Sequence, residues 1–324
     1  MPLSHNPRIR LMLSTRTIVI GVALICLTFL RIKPAAAQQQ LGYKLLGGVG
    51  IDAGVQAEPG LYIAGRVIRF TSSQLRNGKG DVVPLPGLNI DARGVALGVA
   101  YTMKSGGAPY LTFAVSAPAA KLSLAIDDPR VAIDPSGFGD MYLLPLKVGW
   151  RWPRFDGVAS YSLYAPTGKF EPRSGSGIGR GFWTQQFSLG GAAFFNESKT
   201  NRASALVSYD RNGRKRGIDI TRGNTVQVQG GAGVGVSRIG TVGIAGYALW
   251  QVTDDRGSDI PPAVRGQSGR VFGLGPEVRF VIPKLKLGAE LRMEFDFGVR
   301  SRPDGNVIAG GLTCVAWQPK KSQK

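Results

Sequence analysis

The chain has 324 residues, 40 of them basic and 21 acidic, for a net charge of +19, and it is rich in glycine, with 46. Its mean hydropathy is close to zero, and no run of 18 apolar residues occurs, which excludes an ordinary transmembrane helix. That profile suits a membrane barrel, whose apolar residues alternate with polar ones.

In chain order, residues 1–37 read as a secretory signal peptide. Arg8, Arg10 and Arg16 form a basic region, Thr17–Leu30 an apolar core and Ala35-Ala36-Ala37 a small-residue cleavage site before Gln38. An uncleaved anchor is the alternative, although the apolar stretch is short for a span. Cleavage would reduce the basic residues from 40 to 35 against 21 acids, leaving a net charge of +14. It would also remove His5, the only histidine, and Cys26, leaving Cys314 as the only thiol. A mature chain without histidine has no Ser-His-Asp or Cys-His catalysis and no His-ligated metal. The expectation is therefore a non-enzyme with no cofactor and no metal site.

Residues 38–59 read as a loosely ordered periplasmic lead-in, 60–317 as an outer-membrane β-barrel and 318–324 as a basic tail. Twelve strands are expected: Gly60–Phe70, Ile90–Met103, Pro109–Ala125, Phe138–Trp152, Phe155–Ala165, Phe182–Phe195, Arg202–Asp210, Asn224–Ser237, Thr241–Val252, Gly269–Ile282, Leu285–Val299 and Asn306–Trp317. Pro118 marks the third as bulged or split, because proline cannot donate to a ladder. The eleventh has the clearest period of two. Leu285, Leu287, Ala289, Leu291, Met293, Phe295, Phe297 and Val299 fall on one face, with Lys286, Glu290, Arg292, Glu294 and Asp296 on the other. A strand this long can cross a bilayer at a tilt, which takes about 9–11 residues.

Short and long connections alternate along the chain, as periplasmic turns and external loops do in such barrels. Ser301–Gly305 is the exception, short where a long loop belongs. Trp150, Trp152, Phe155, Phe195 and Trp317 lie near the turns, and Tyr164, Trp183, Trp250 and Phe297 near the loops. Two aromatic girdles are expected from this placement. The overall fold class is an all-β, transmembrane, antiparallel up-and-down barrel of about twelve strands.

From Phe138 onward, FGDMYLLPLKVGWRWPRFD, YAPTGKF, GFWTQQFSLGG, YDRNGRKRGIDITRGN, YALWQVTDDRG, RVFGLGPEVRF and RSRPDGN occur in order. In these the chain resembles the MetA-pathway of phenol degradation family over residues 140–315, with weaker likeness from Gly60. The resemblance implies an outer-membrane transport barrel and, through the family's name, passage of aromatic or other hydrophobic compounds. The C-terminus departs from the usual aromatic ending, since QPKKSQK follows Trp317.

Facing the interior, Lys147 and Arg151 of the fourth strand, Glu277 and Arg279 of the tenth, and Lys286, Glu290, Arg292, Glu294 and Asp296 of the eleventh would line a pore and set its selectivity. Equally, they could pair with one another and fill the barrel. Arg211, Arg214, Lys215 and Arg216 could meet lipopolysaccharide phosphates, or form a solvated turn. Asp254, Asp255 and Asp259 lack the spacing of a calcium loop. The glycines at 175, 177, 179 and 181 lack the strand-to-helix context of a phosphate loop. The expected partners are outer-membrane lipid and lipopolysaccharide, a small-molecule solute and the barrel assembly machinery. Nucleic acid is not expected, because export conflicts with it and the basic residues are scattered. Two functions remain open. One is passage of small aromatic or hydrophobic solutes, with aromatic carboxylates favoured by the positive charge. The other is a closed structural or adhesive barrel.

Overall fold

The computed structural model describes residues 48–107, 109–128, 130–172, 177–237, 239–262 and 265–319. The signal expected at 1–37, the start of the lead-in and the tail from 320 lie outside the described residues, as does residue 175.

Twelve long strands close into one antiparallel barrel. They are β1 (Gly60–Arg76), β3 (Asn89–Lys104), β4 (Tyr110–Ile126), β7 (Met141–Arg151), β8 (Phe155–Ala165), β9 (Thr184–Phe194), β10 (Arg202–Asn212), β11 (Thr225–Gly235), β12 (Gly240–Gln251), β13 (Arg270–Ile282), β14 (Leu287–Arg300) and β15 (Arg302–Trp317). Three short strands, β2 (Val82–Val83), β5 (Val131–Ile133) and β6 (Ser136–Phe138), pair onto loop-side extensions. Each long strand pairs with its sequence neighbours, and β1 meets β15 from Leu61↔Trp317 to Arg76↔Arg302, so no edge remains. Closure satisfies the backbone groups that lipid could not.

The alternation in the sequence becomes two surfaces. On β3, Val95, Leu97 and Val99 are exposed to the outside, Leu97 by 71%, while Ala96, Gly98 and Ala100 point inward. On β14, Leu291 and Phe295 are exposed, while Arg292 and Glu294 are almost fully buried. Exposed apolar side chains outside and charges inside invert the usual globular pattern, as a lipid-facing barrel requires. Trp150, Trp152, Phe155, Phe195 and Trp317 are exposed at the turn end, and Trp183 and Phe297 at the loop end.

Strand limits fall within three residues of the expected ones, the largest of these shifts being the start of β7 at Met141 where Phe138 is expected, except on β1 and β15. Their polar loop-side ends, Thr71–Arg76 and Arg302–Asn306, carry no hydrophobic signal, yet each supplies the other's ladder partner. The connection between β14 and β15 shrinks to Ser301, in the left-handed region at φ 51°. Pro118 leaves β4 whole. Pairing with β7 ends at Ser116 and resumes with β6 at Ala119, so the proline falls where β4 changes partner and no donor is needed.

One site expectation is corrected here. Lys286 does not line the interior; it ends the 3-10 turn Pro283–Leu285, exposed, with φ 53° and its N–H bonded to the carbonyl of Pro283 at 3.1 Å. Pro283 starts that turn and displaces the beginning of the strand to Leu287, which moves Lys286 and Leu285 out of the alternation.

Candidate functional site: the lumen and its floor

The end of the barrel that carries Gly60 and Trp317 is crossed by residues 50–58. Ile51 is fully buried, its N–H donates to Glu277 Oε2 at 3.0 Å and its carbonyl accepts from Ser204 Oγ at 2.8 Å. Asp52 bridges Arg202 of β10 at 2.6 Å and Arg279 of β13 at 2.8 Å. Gly54 lies against the backbone of β9, so close that an added Cβ would come within 2.1 Å of the Gly191 oxygen. Lys147 Nζ donates to the Val55 carbonyl at 3.2 Å, and Gln56 N–H donates to Asp156 Oδ2 at 3.1 Å. Glu58 pairs with Arg151. The segment thus touches β13, β10, β9, β8 and β7 in turn and forms a floor rather than a loose lead-in. Its single large apolar anchor, Ile51, contributes about 1.5–3 kcal/mol by burial. No strand ladder holds it; the contacts are side-chain bonds.

The expected interior charges divide by partner. Lys147, Arg151 and Arg279 hold the floor. Glu277 and Arg292 lie 3.7 Å apart, and Arg292 also approaches Glu290 and Glu294 at 3.9 Å. Asp296 accepts a hydrogen bond from the hydroxyl of Tyr247, and Glu290 pairs with Arg66. Opposite charges cluster in the confined interior, where an isolated buried charge costs several kcal/mol, although both carboxylate oxygens of Glu294 lack a hydrogen-bond donor. Above them, Ser162, Gln186 and Asp210 form a hydrogen-bonded chain, and Tyr247, Leu249, Val271, Val299 and Val307 form an apolar cluster.

The wall formed by β3 and β4 is different. The inward positions of β3 and β4 include Ala96, Gly98, Ala100, Ala114 and Ser116, all small and only partly buried. Arg66 projects from the adjacent β1, its side chain 42% exposed, between Glu290 and the Gly48 carbonyl. Sequence reasoning missed Arg66, although the alternation Tyr62, Ala64, Arg66, Ile68 carries it. It missed the floor because the alternation Ile51, Ala53, Val55, Ala57 is short and built mostly of small side chains, while the partners of Asp52 and Glu58 lie far along the chain.

At the loop end, Arg211, Arg214 and Arg216 are exposed, and Arg214 pairs with Asp219 at 3.3 Å. Lys215 departs from the expected surface role. It is 2% exposed, with its ammonium 5.4 Å from the ring centre of Phe170 and 5.7 Å from that of Phe182. Burial, reinforced by Arg222 and Arg180, pushes its pKa down to about 7. Asp255 cross-links loops, pairing with Arg222 and accepting from Gly223 N–H at 2.7 Å, while Asp259 accepts from Asp219 N–H at 2.7 Å.

Among solved structures, the chain is similar to the COG4313 outer membrane channel from Pseudomonas putida F1, with 12% identity and a TM-score of 0.72. That match covers 84% of this chain and 99% of the channel. The transport unit of the autotransporter AIDA-I from Escherichia coli matches at 10% identity and a TM-score of 0.47, over 86% of this chain and 94% of that one. No curated protein matches. The family model for the MetA-pathway of phenol degradation matches residues 72–309. With a match over most of its length, and with the seven sequence stretches in their strands and loops, the chain belongs to the MetA-pathway of phenol degradation family.

Proposed function

We propose that this barrel is an outer-membrane passage for small aromatic or hydrophobic solutes, aromatic carboxylates among them, closed on its periplasmic side by residues 50–58. The observation that carries the reading is the way this floor is held. Its stretch from Ile51 to Gln56 packs against the inner surface of a closed barrel yet shares no ladder with the wall, so it can move without breaking the sheet. Beside it runs the wall of small side chains on β3 and β4, with Arg66 at its margin as an accessible cation. The family's name and the outer-membrane channel with the same fold support passage as the role. The second reading, a closed structural barrel, draws on the mutual pairing of the lumenal charges.

Planar-bilayer recording of the purified chain, with and without residues 38–58, tests the proposal. The full chain should give small, intermittent conductance, and the shortened one larger and steadier openings. Silence from both, with the shortened barrel still folded, would favour the closed structural barrel.

A further inference from the structure

At the loop end, the tops of β10 and β11 and the loop after β12 enclose a cavity of about 320 Å³ that neither the lumen nor its floor uses. Arg211, Arg222 and Arg256 line it, with Thr221, Thr253 and one carboxylate, Asp254. Its walls are fixed by the backbone. Thr221 N–H donates to the Arg256 carbonyl at 2.7 Å and Arg256 N–H to the Thr221 carbonyl at 2.9 Å, joining two loops. Arg222 is held by Asp255 and forms the buried back of the cavity. Arg211 and Arg256 are exposed and, among the described residues, make no ion pair, so two guanidiniums face the cavity against the single carboxylate of Asp254.

Guanidinium forks, threonine hydroxyls and a net positive wall are the chemistry that recognises a phosphate. Position narrows the source. Arg211 shares the outward face of β10 with Tyr209, two residues nearer the bilayer, which is 38% exposed and bonded through its hydroxyl to Asn224 at 2.8 Å. A tyrosine in this setting marks the water interface of the membrane, which puts the cavity at headgroup level. We propose that this cavity binds a phosphate monoester, and that the phosphate belongs to a glycolipid of the outer leaflet. The site moves the expected lipopolysaccharide contact from the run Arg211–Arg216 to Arg211 together with Arg222 and Arg256. It is independent of whether the lumen conducts.

Native mass spectrometry of the detergent-purified barrel tests it with three probes: diphosphoryl lipid A, the same lipid stripped of phosphate, and inorganic phosphate. One lipid A should be retained, and the stripped lipid should not. Arg256→Gln should weaken retention about tenfold, the loss of a charge-assisted contact. Asp254→Asn should strengthen it, and Arg214→Gln, on the loop between β10 and β11 but outside the cavity, should leave it unchanged. The heat-modifiable folded band of each variant separates lost binding from lost folding. Inorganic phosphate binding with this mutational pattern, without lipid A, would keep the phosphate site and overturn its lipid source. No phosphate in either form, or equal retention by the Arg211→Gln/Arg256→Gln variant, would overturn the site.

Discussion

Leu291 and Glu290 are neighbours in sequence and face different solvents. Leu291 is 53% exposed on the outer surface, while Glu290 meets Arg66 inside. Leu291→Arg should cost about 2–4 kcal/mol of folded stability near the bilayer midplane. Glu290→Gln removes one partner of a half-exposed pair and should cost under about 1 kcal/mol. The heat-modifiable band during refolding into liposomes measures both, and equal loss in the two variants would reject the assigned faces. Gly54 makes a second residue-level case. A methyl group there meets the Gly191 carbonyl, part of the β9 ladder, so the floor must give way rather than the wall. Gly54→Ala should therefore raise conductance while leaving the folded band intact; unchanged conductance would mean that the floor does not limit passage.

At the level of elements, the external loops are joined by charges and by Lys215 beneath them. Its pKa is lowered to about 7, against 10.5 for an exposed lysine, so an opened loop binds the proton more tightly than a closed one. Closure is then weakest below pH 7 and strengthens as pH rises from about 7 toward 10.5. Hydrogen exchange of residues 213–222, corrected for intrinsic rates, should show protection rising through that window. Lys215→Met should make protection high and flat with pH. Protection in the wild type that does not change between pH 7 and 10 would remove the buried ammonium as the cause.

For the molecule as a whole, the excess of basic over acidic residues biases approach toward anions, most strongly at low salt. Liposomes holding the pure protein should admit benzoate faster than a sugar of similar size, and the preference should shrink as salt rises. Arg292 is a poor probe of this effect, because Glu277, Glu290 and Glu294 already surround it. Arg66, beside the wall of small residues, is the better one, and Arg66→Gln should reduce the benzoate preference about twofold at low ionic strength without changing sugar entry. Equal entry of both solutes, indifferent to salt and to this substitution, would leave a nonspecific pore.

The sequence alone determined the barrel, its strand number and the inner and outer faces, except at Val299, which the alternation puts outside and which turns inward past Gly298 at φ 60°. Each strand repeats a period of two, which any closed sheet in lipid must display, and the Leu291 and Arg292 faces follow from it directly. Partners brought together across the barrel, which no local period reveals, were decided only by the tertiary structure. Residues 50–58 became a floor because Glu277, Arg202, Arg279 and Lys147, far apart in the chain, converge around them once the barrel closes. Lys286 left the lumen because Pro283 set a turn, and Lys215 was buried because Phe170 and Phe182 packed over it. Strand faces are local properties, set by geometry that each residue shares with its neighbours. Charge partners and burial inside a closed barrel are not local, because they depend on which strands the circle brings opposite one another.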